Sequence, residues 1–112
     1  MKNKTFNQKV FEIVKLIPKG YVMNYGQIAR LAGNARASRA VGYALHNIDD
    51  PFLIAWHRVV FKDGSLPCFR SDTNLQYSLL RDEKVGFTKD KKVNMKKHQY
   101  DAVDIEAQLA EI

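Results

Sequence analysis

The sequence predicts a mainly α-helical domain of the winged helix-turn-helix class, in which a short β-hairpin forms the wing. Three observations predict this class: apolar residues recur at helical spacing in several short segments, a glycine turn joins two of these segments, and an apolar run ends in a turn sequence. The chain has 112 residues, of which 46% are hydrophobic. It therefore has room for one compact domain with a substantial apolar core.

The first two predicted helices follow directly from capping signals. A helix over residues 5–17 starts with Thr5 and Gln8, which have capping-box spacing. The sequence PKG ends this helix, and a short extended fragment follows it. Asn24 then caps a second helix over residues 25–32, and Gln27 at the third helical position completes a second capping box.

A third helix is predicted over residues 36–47, and Gly33 makes the turn that joins it to the second helix. Three arginines and no acidic residue lie between residues 25 and 47. The third helix is rich in small residues and includes Gly42, although a glycine costs about 1 kcal/mol in a helix interior. The close approach of another surface explains this glycine, and that surface is either an external partner or the first helix.

The second half of the domain starts with the apolar run of residues 52–61, which we expect to pass through the interior. Residues 62–65 form a hairpin-type turn, and residues 66–70 return as a wing-like loop. A last core helix is predicted over residues 75–83 and ends near Gly86.

The net charge of +6 suits a polyanionic partner, although such a charge also serves solubility. Residues 1–87 carry 13 basic and 7 acidic residues and hence the whole excess, whereas residues 88–112 carry five of each. We expect residues 1–87 to form the folded domain and residues 88–112 to form a charged, partly helical and loosely attached extension. Within this extension Val103, Ala107 and Ala110 recur at helical spacing, by four and three positions.

Composition argues against three kinds of structure: an internal disulfide, a multi-cysteine zinc site and a membrane-spanning segment. Cys68 is the only cysteine, so the chain has no internal disulfide and no multi-cysteine zinc site. The amino-terminal stretch lacks the apolar core of a signal peptide, and no run of about 18 apolar residues is present to span a bilayer. We expect a cytoplasmic, monomeric protein that binds no membrane, metal or cofactor.

Five short motifs follow one another between residues 6 and 86: IPKGYV, NYGQIA, SRAVG, IAWHRVV and LLRDE. Together they resemble the DNA-binding domain of the alkylguanine-DNA alkyltransferases, repair proteins whose active site carries the motif PCHRVV. The resemblance implies a winged helix-turn-helix that binds double-stranded DNA. Where that family has its alkyl-accepting cysteine, however, this sequence has Trp56, preceded by Ala55 in place of the proline.

An indole offers no thiolate, so alkyl transfer at the position of Trp56 is excluded. A tryptophan at this position is similar to that of the alkyltransferase-like proteins, a non-enzymatic branch. The similarity implies that the chain binds alkylated guanine in DNA, recruits nucleotide excision repair proteins and blocks alkyltransferase access to the lesion.

The resemblance also implies roles for individual residues in DNA binding. Tyr25 corresponds to a tyrosine that pushes the phosphate beside the target nucleotide, and Arg39 to an arginine that fills the gap left by a flipped base. The third helix would lie in the minor groove, where small side chains permit a close approach. The expected DNA-binding residues are Tyr25, Arg36, Ser38, Arg39, Ala40, Gly42 and Tyr43.

The same resemblance implies a pocket for the flipped base, with Trp56 as one of its walls. The expected lining residues are Met23, Tyr25, Leu45, Trp56, Val59, Phe69 and Arg70, and either Phe69 or Arg70 faces the base. Each methylene group that is buried contributes roughly 0.8 kcal/mol to the binding free energy. A single methyl group therefore adds little affinity. The lower cost of flipping a damaged base must add to the selectivity.

Three further residues match those that activate the cysteine in the alkyltransferases: His57, Arg58 and Glu83. With no thiol to activate, we expect them to form a residual buried network. In this network Arg58 pairs with Glu83, and His57 joins it through a water molecule.

Taken singly, each of these residues has an ordinary structural interpretation, such as Trp56 in the core or Arg39 in solvent. Two other functions remain open. An alkyltransferase that uses Cys68 as the acceptor would need a base that its sequence neighbours lack. A winged-helix transcriptional regulator would need an Asn or Gln on the recognition helix to pair with adenine, and Ser38 and Arg39 are poor substitutes.

Overall fold

The computed structural model describes residues 4–47, 53–67 and 73–110. In these ranges it contains six α-helices, one turn of 3₁₀ helix at Trp56–Arg58 and two short strands. The helices are α1 (Phe6–Lys15), α2 (Tyr25–Leu31), α3 (Ser38–His46), α4 (Thr73–Asp82), α5 (Met95–His98) and α6 (Ala102–Ala110), and the strands are β1 (Met23–Asn24) and β2 (Val59–Val60). No helix in these ranges has both the length and the apolar character needed to cross a membrane.

The mainly helical class and the helix-turn-helix are confirmed. Both predicted capping boxes are present, because the side chains of Thr5 and Asn24 accept hydrogen bonds from the backbone N–H groups of Gln8 and Gln27 at 3.1 and 2.8 Å. These caps fix where α1 and α2 begin. The third helix has no side-chain cap and begins at Ser38, two residues later than predicted. All three helices contribute to one apolar core.

The small sheet differs from the expected hairpin. The strands β1 and β2 pair in parallel, with Met23 opposite Val59, and both strands are buried. Burial of this kind is typical of parallel strands. The buried polar residue of β1, Asn24, uses its side chain to cap α2. The predicted turn is present, since the Phe61 N–H donates to the Ser65 carbonyl at 3.0 Å. No described residue beyond the turn pairs with β2, and residues 68–70 of the predicted wing lie outside the described residues.

The carboxy-terminal segment, residues 88–110, packs against the rest of the chain. The Val22 N–H donates to the His98 carbonyl, and the Tyr100 N–H donates to the Val22 carbonyl, both at 2.8 Å. Ile105 of α6 is completely buried in the same core as α1 and α2. The expected loose attachment is therefore wrong for the described part of this segment.

The buried face of α6 also differs from the prediction. Val103 is 64% exposed, whereas Ala102, Ile105 and Leu109 pack against the core. These three residues are spaced by three and four positions, which places them on one side of the helix. The larger side chains of Ile105 and Leu109 decide which face is buried, because the gain on burial grows with apolar area.

Candidate nucleic-acid interface

The helix-turn-helix borders an open groove of about 500 Å³. One face of α3 contributes most of its lining, because residues 38, 39, 42, 43 and 46 recur at the spacing of successive helical turns. The first residue of α2 and the residue after β2 complete it. The lining residues are Tyr25, Ser38, Arg39, Gly42, Tyr43, His46 and Phe61.

Five of the seven predicted DNA-binding residues line this groove. Arg39 and Tyr43 are exposed, and Tyr43 has 62% of its surface accessible. Arg36 and Ala40 are the two that do not line it. Arg36 precedes α3, where its N–H donates to the Asn34 side chain at 3.1 Å. Ala40 is partly exposed on α3.

Gly42 leaves space within the groove. Among the described residues, a Cβ atom placed on Gly42 meets only the Tyr25 ring, at 4.0 Å from Cε1, which is an ordinary van der Waals distance. Packing among the described residues does not require a glycine here, and α1 contributes no atom within 4 Å of that Cβ. Of the two explanations offered by the sequence, the approach of an external surface is therefore favoured.

Tyr25 and Phe61 form an aromatic pair at the groove, with their ring centroids 5.6 Å apart. Tyr25 is only 7% exposed, and burial raises the pKa of its hydroxyl far above the usual value, so the hydroxyl keeps its proton. Phe61 is 46% exposed. Phe61 and His46 line the groove although the sequence did not predict them as site residues. For Phe61 the available signal was its position directly before the predicted turn.

The residues predicted to line a base pocket are packed in the core, as far as the structure describes them. Four apolar members of this set are between 0% and 2% exposed: Met23, Leu45, Trp56 and Val59. Tyr25, the fifth described member, joins this core to the groove. Phe69 and Arg70 lie outside the described residues, so the choice between them stays a prediction.

His57, Arg58 and Glu83 form a compact network beside Trp56. The Arg58 guanidinium donates from Nε to Glu83 Oε1 at 3.0 Å and from Nη2 to Oε2 at 2.7 Å, and its Nη1 donates to the Ile17 carbonyl at 2.8 Å. His57 Nε2 lies 2.9 Å from Glu83 Oε2. The expected water between His57 and Glu83 is therefore wrong, because the two side chains bond directly.

The protonation states in this network follow from burial and hydrogen bonding. Burial lowers the pKa of His57 and outweighs the opposing effect of Glu83, so His57 is neutral near pH 7 and donates its Nε2 proton. Burial alone would raise the pKa of Glu83, but the hydrogen bonds from Arg58 and His57 bring it below the usual value. A neutral histidine bonded to a carboxylate can serve as a base. Its chain neighbour is the indole of Trp56, however, which provides no nucleophile to activate.

The comparisons with known proteins agree on one family. Residues 5–85 match the family model described as the 6-O-methylguanine DNA methyltransferase, DNA binding domain. An Escherichia coli protein named DNA base-flipping protein is 34% identical over 99 residues, which cover 88% of this chain and 77% of that protein. A methylated-DNA–protein-cysteine methyltransferase from Kluyveromyces lactis is 41% identical over 78 residues, covering 70% of this chain and 41% of that enzyme.

A solved structure gives the same result for the fold. Schizosaccharomyces pombe Atl1, in complex with damaged DNA containing O6-carboxymethylguanine, superimposes with a TM-score of 0.76 and 28% sequence identity. The match covers 90% of this chain and 99% of the Atl1 chain. It therefore extends beyond the region that the family model covers.

Proposed function

The chain belongs to the family defined by the DNA-binding domain of 6-O-methylguanine DNA methyltransferase, and on this premise we propose that it binds alkylated guanine in DNA without removing the alkyl group. The observation that carries the proposal is Trp56. This indole stands beside the intact network of His57, Arg58 and Glu83, at the position that the resemblance gives to the nucleophilic cysteine. The network is kept, but the side chain that it would activate is replaced.

The groove is the surface that meets the DNA. Its α3 face combines small residues with the exposed Arg39, and the space over Gly42 suits a helix lying in the minor groove. Arg39 enters the base stack, where its planar cation stacks and donates hydrogen bonds at once. Tyr25 is mostly buried, but its ring borders the groove and its hydroxyl keeps its proton, so it matches the tyrosine that the resemblance places beside the phosphate of the flipped nucleotide.

The flipped guanine is received next to Trp56, with Met23, Leu45 and Val59 as its apolar support. Phe69 or Arg70 completes the pocket. Only 2% of Trp56 is exposed, so the side chains packed against the indole must move apart before the base can enter. The indole then offers an apolar surface to an added alkyl group, and longer groups are bound more tightly by roughly 0.8 kcal/mol per buried methylene. The weaker stacking and pairing of a damaged base lowers the cost of flipping and adds to the selectivity.

A non-enzymatic role is supported by the indole and by the relatives. The E. coli relative is named for base flipping, and Atl1 was solved with a damaged guanine in its DNA. The family also includes methyltransferases such as that of K. lactis, so family membership alone does not decide the question. As a sensor without chemistry, the protein acts by holding the lesion, recruiting nucleotide excision repair proteins and blocking alkyltransferase access.

A titration of two short duplexes tests this function. The duplexes have the same sequence, and one carries O6-alkylguanine in place of a single guanine. We expect tighter binding of the modified duplex, and weaker binding of both as salt rises because phosphates are being neutralised. Equal affinity for the two duplexes contradicts the proposal, and a preference for one defined unmodified sequence would favour a transcriptional regulator instead.

A further inference from the structure

The carboxy-terminal segment carries a concentration of positive charge that the helix-turn-helix does not account for. Residues 88–97 contain one acidic residue, Asp90, and five lysines. We call these lysines the lysine patch: Lys89, Lys91, Lys92, Lys96 and Lys97. Four of them are exposed and Lys92 is partly exposed. Within the described part of the chain, only Lys92 among them forms an ion pair, with Asp63 at 3.1 Å.

The backbone beneath the lysine patch is fixed by buried contacts. Val93 is 1% exposed, and its N–H donates to the Gly64 carbonyl at 2.8 Å. The buried His98 accepts a hydrogen bond at Nε2 from the Gly86 N–H and bonds through Nδ1 to the Gly20 carbonyl, both at 2.9 Å. The lysines therefore project from a backbone that loses little freedom when a ligand binds.

These contacts also tie the lysine patch to the groove. The Gly64 N–H donates to the carbonyl of Phe61, which lines the groove, at 2.8 Å. On its other side Gly64 touches the segment so closely that an added Cβ would lie 2.4 Å from the Val93 carbonyl oxygen. The partner of Lys92 is Asp63, two residues beyond Phe61. One turn thus supports both the groove wall and the lysine patch.

We propose that the lysine patch binds the phosphate backbone of the same duplex whose minor groove receives α3. This inference rests on the proposed function and extends its interface to a second element of the chain. An ammonium group is a compact charge that suits a phosphate oxygen and reads no base. The patch therefore adds affinity for any duplex and leaves the preference for alkylguanine unchanged.

Paired substitutions test the assignment. Lys96→Gln with Lys97→Gln removes two charges from the patch, and Lys89→Gln with Lys91→Gln removes two from its other half. The matched control is Lys9→Gln with Lys15→Gln, which removes two exposed charges from α1 and changes the net charge equally. Fluorescence anisotropy would measure the affinity for modified and unmodified duplexes between 50 and 200 mM salt.

Each phosphate contact contributes about 0.9 to the slope of log affinity against log salt. At least one patch pair should therefore make the slope shallower by up to about 1.8, so that the affinity lost over this salt range becomes roughly tenfold smaller. The control pair should change the slope much less. The ratio of the affinities for the modified and unmodified duplexes should stay at its wild-type value.

Equal slopes for all three pairs would overturn the inference, because the effect would then belong to net charge alone. A patch pair that changes the ratio of the affinities for the two duplexes would also overturn the inference, since the lysines would then contribute to recognition of the alkylated guanine. Failure of the proposed function would give a different result. The wild-type protein itself would then bind the modified and unmodified duplexes with equal affinity, whatever the salt slopes of the variants.

Discussion

Two arginines show how differently the groove and the buried network use the same side chain. Arg39 is exposed on α3 and, among the described residues, forms no ion pair. Arg58 is mostly buried and directs three donor atoms to Glu83 and to the Ile17 carbonyl. The groove therefore keeps its donors for a partner, whereas the network satisfies its donors internally. Substitutions in the first region should impair binding, and substitutions in the second should impair folding.

The largest expected effect is that of Glu83→Ala on stability. This change leaves the Arg58 cation buried without its carboxylate, which costs about 3–5 kcal/mol in the free energy of unfolding. Asp82→Ala is the matched control, because Asp82 is the exposed neighbour and its loss should stay within about 0.5 kcal/mol. Urea denaturation measures the free energy of unfolding of both variants. A loss of less than 1 kcal/mol for Glu83→Ala would show that the network does not support the fold.

A pair of glycine variants tests the turn that couples the groove to the carboxy-terminal segment. Gly33 and Gly64 both have positive φ, at 101° and 90°. A Cβ at Gly33 would meet no atom of the described residues within 4 Å, whereas a Cβ at Gly64 would meet the Val93 carbonyl oxygen. Gly33→Ala should cost about 1–2 kcal/mol from backbone strain alone. Gly64→Ala should cost more and should also weaken DNA binding. Equal costs, with DNA binding unchanged, would mean that the turn is not held by the segment.

The effect of Arg39→Ala should be confined to binding. Removing a stacked, hydrogen-bonded arginine from the centre of an interface typically costs about 2–3 kcal/mol, or roughly a hundredfold in affinity for the alkylguanine duplex. The melting temperature should hardly move, because Arg39 is exposed. Arg81→Ala, on the exposed side of α4, serves as the control for charge. If the Arg39→Ala variant bound the alkylguanine duplex with wild-type affinity, the proposed role of Arg39 would be wrong.

The smallest expected effect is a pH dependence of stability that comes from the network. Both His57 and Glu83 have lower pKa values in the folded chain than their ordinary values of 6.5 and 4.5. The unfolded chain therefore binds protons first as the pH falls, and the folded state loses stability below about pH 6.5 through His57 and below about pH 4.5 through Glu83. Above about pH 6.5 neither group binds a proton in the folded or the unfolded chain, so the network makes its full contribution to the stability of the folded state.

Denaturation between pH 7.5 and 5 isolates the histidine part of this dependence. In His57→Gln the amide can still donate to Glu83 but does not titrate. The free energy of unfolding of this variant should fall less steeply than that of the wild type. Identical pH profiles would show that the pKa of His57 is not lowered by folding.

Local signals predicted the helix-turn-helix, the family resemblance pointed to its DNA-binding residues, and non-local pairing explains what was missed. The caps at Thr5 and Asn24 and the turn at Gly33 depend only on neighbouring residues, so the sequence located these helices, whereas the role of Arg39 came from the resemblance. The parallel pairing of β1 with β2 joins distant parts of the chain, and no local pattern specifies such a partner.

Tertiary packing accounts for the other differences. The segment after residue 87 is charged, but Ile105 and His98 anchor it in the interior, which composition does not reveal. Phe61 ends an apolar run, yet the turn after it leaves the ring at the groove. The direct bond between His57 and Glu83 likewise depends on how α4 packs against the 3₁₀ turn.

Trp56 in place of a cysteine implies that the chain holds alkylated guanine and does not react with it. The most direct test of this inference is to incubate the protein with excess duplex carrying an isotopically labelled alkyl group on guanine, and then to weigh the protein and the recovered oligonucleotide by mass spectrometry. We expect an unchanged protein mass and an oligonucleotide that keeps its label. A protein heavier by one alkyl group, with unmodified guanine in the recovered strand, would contradict it.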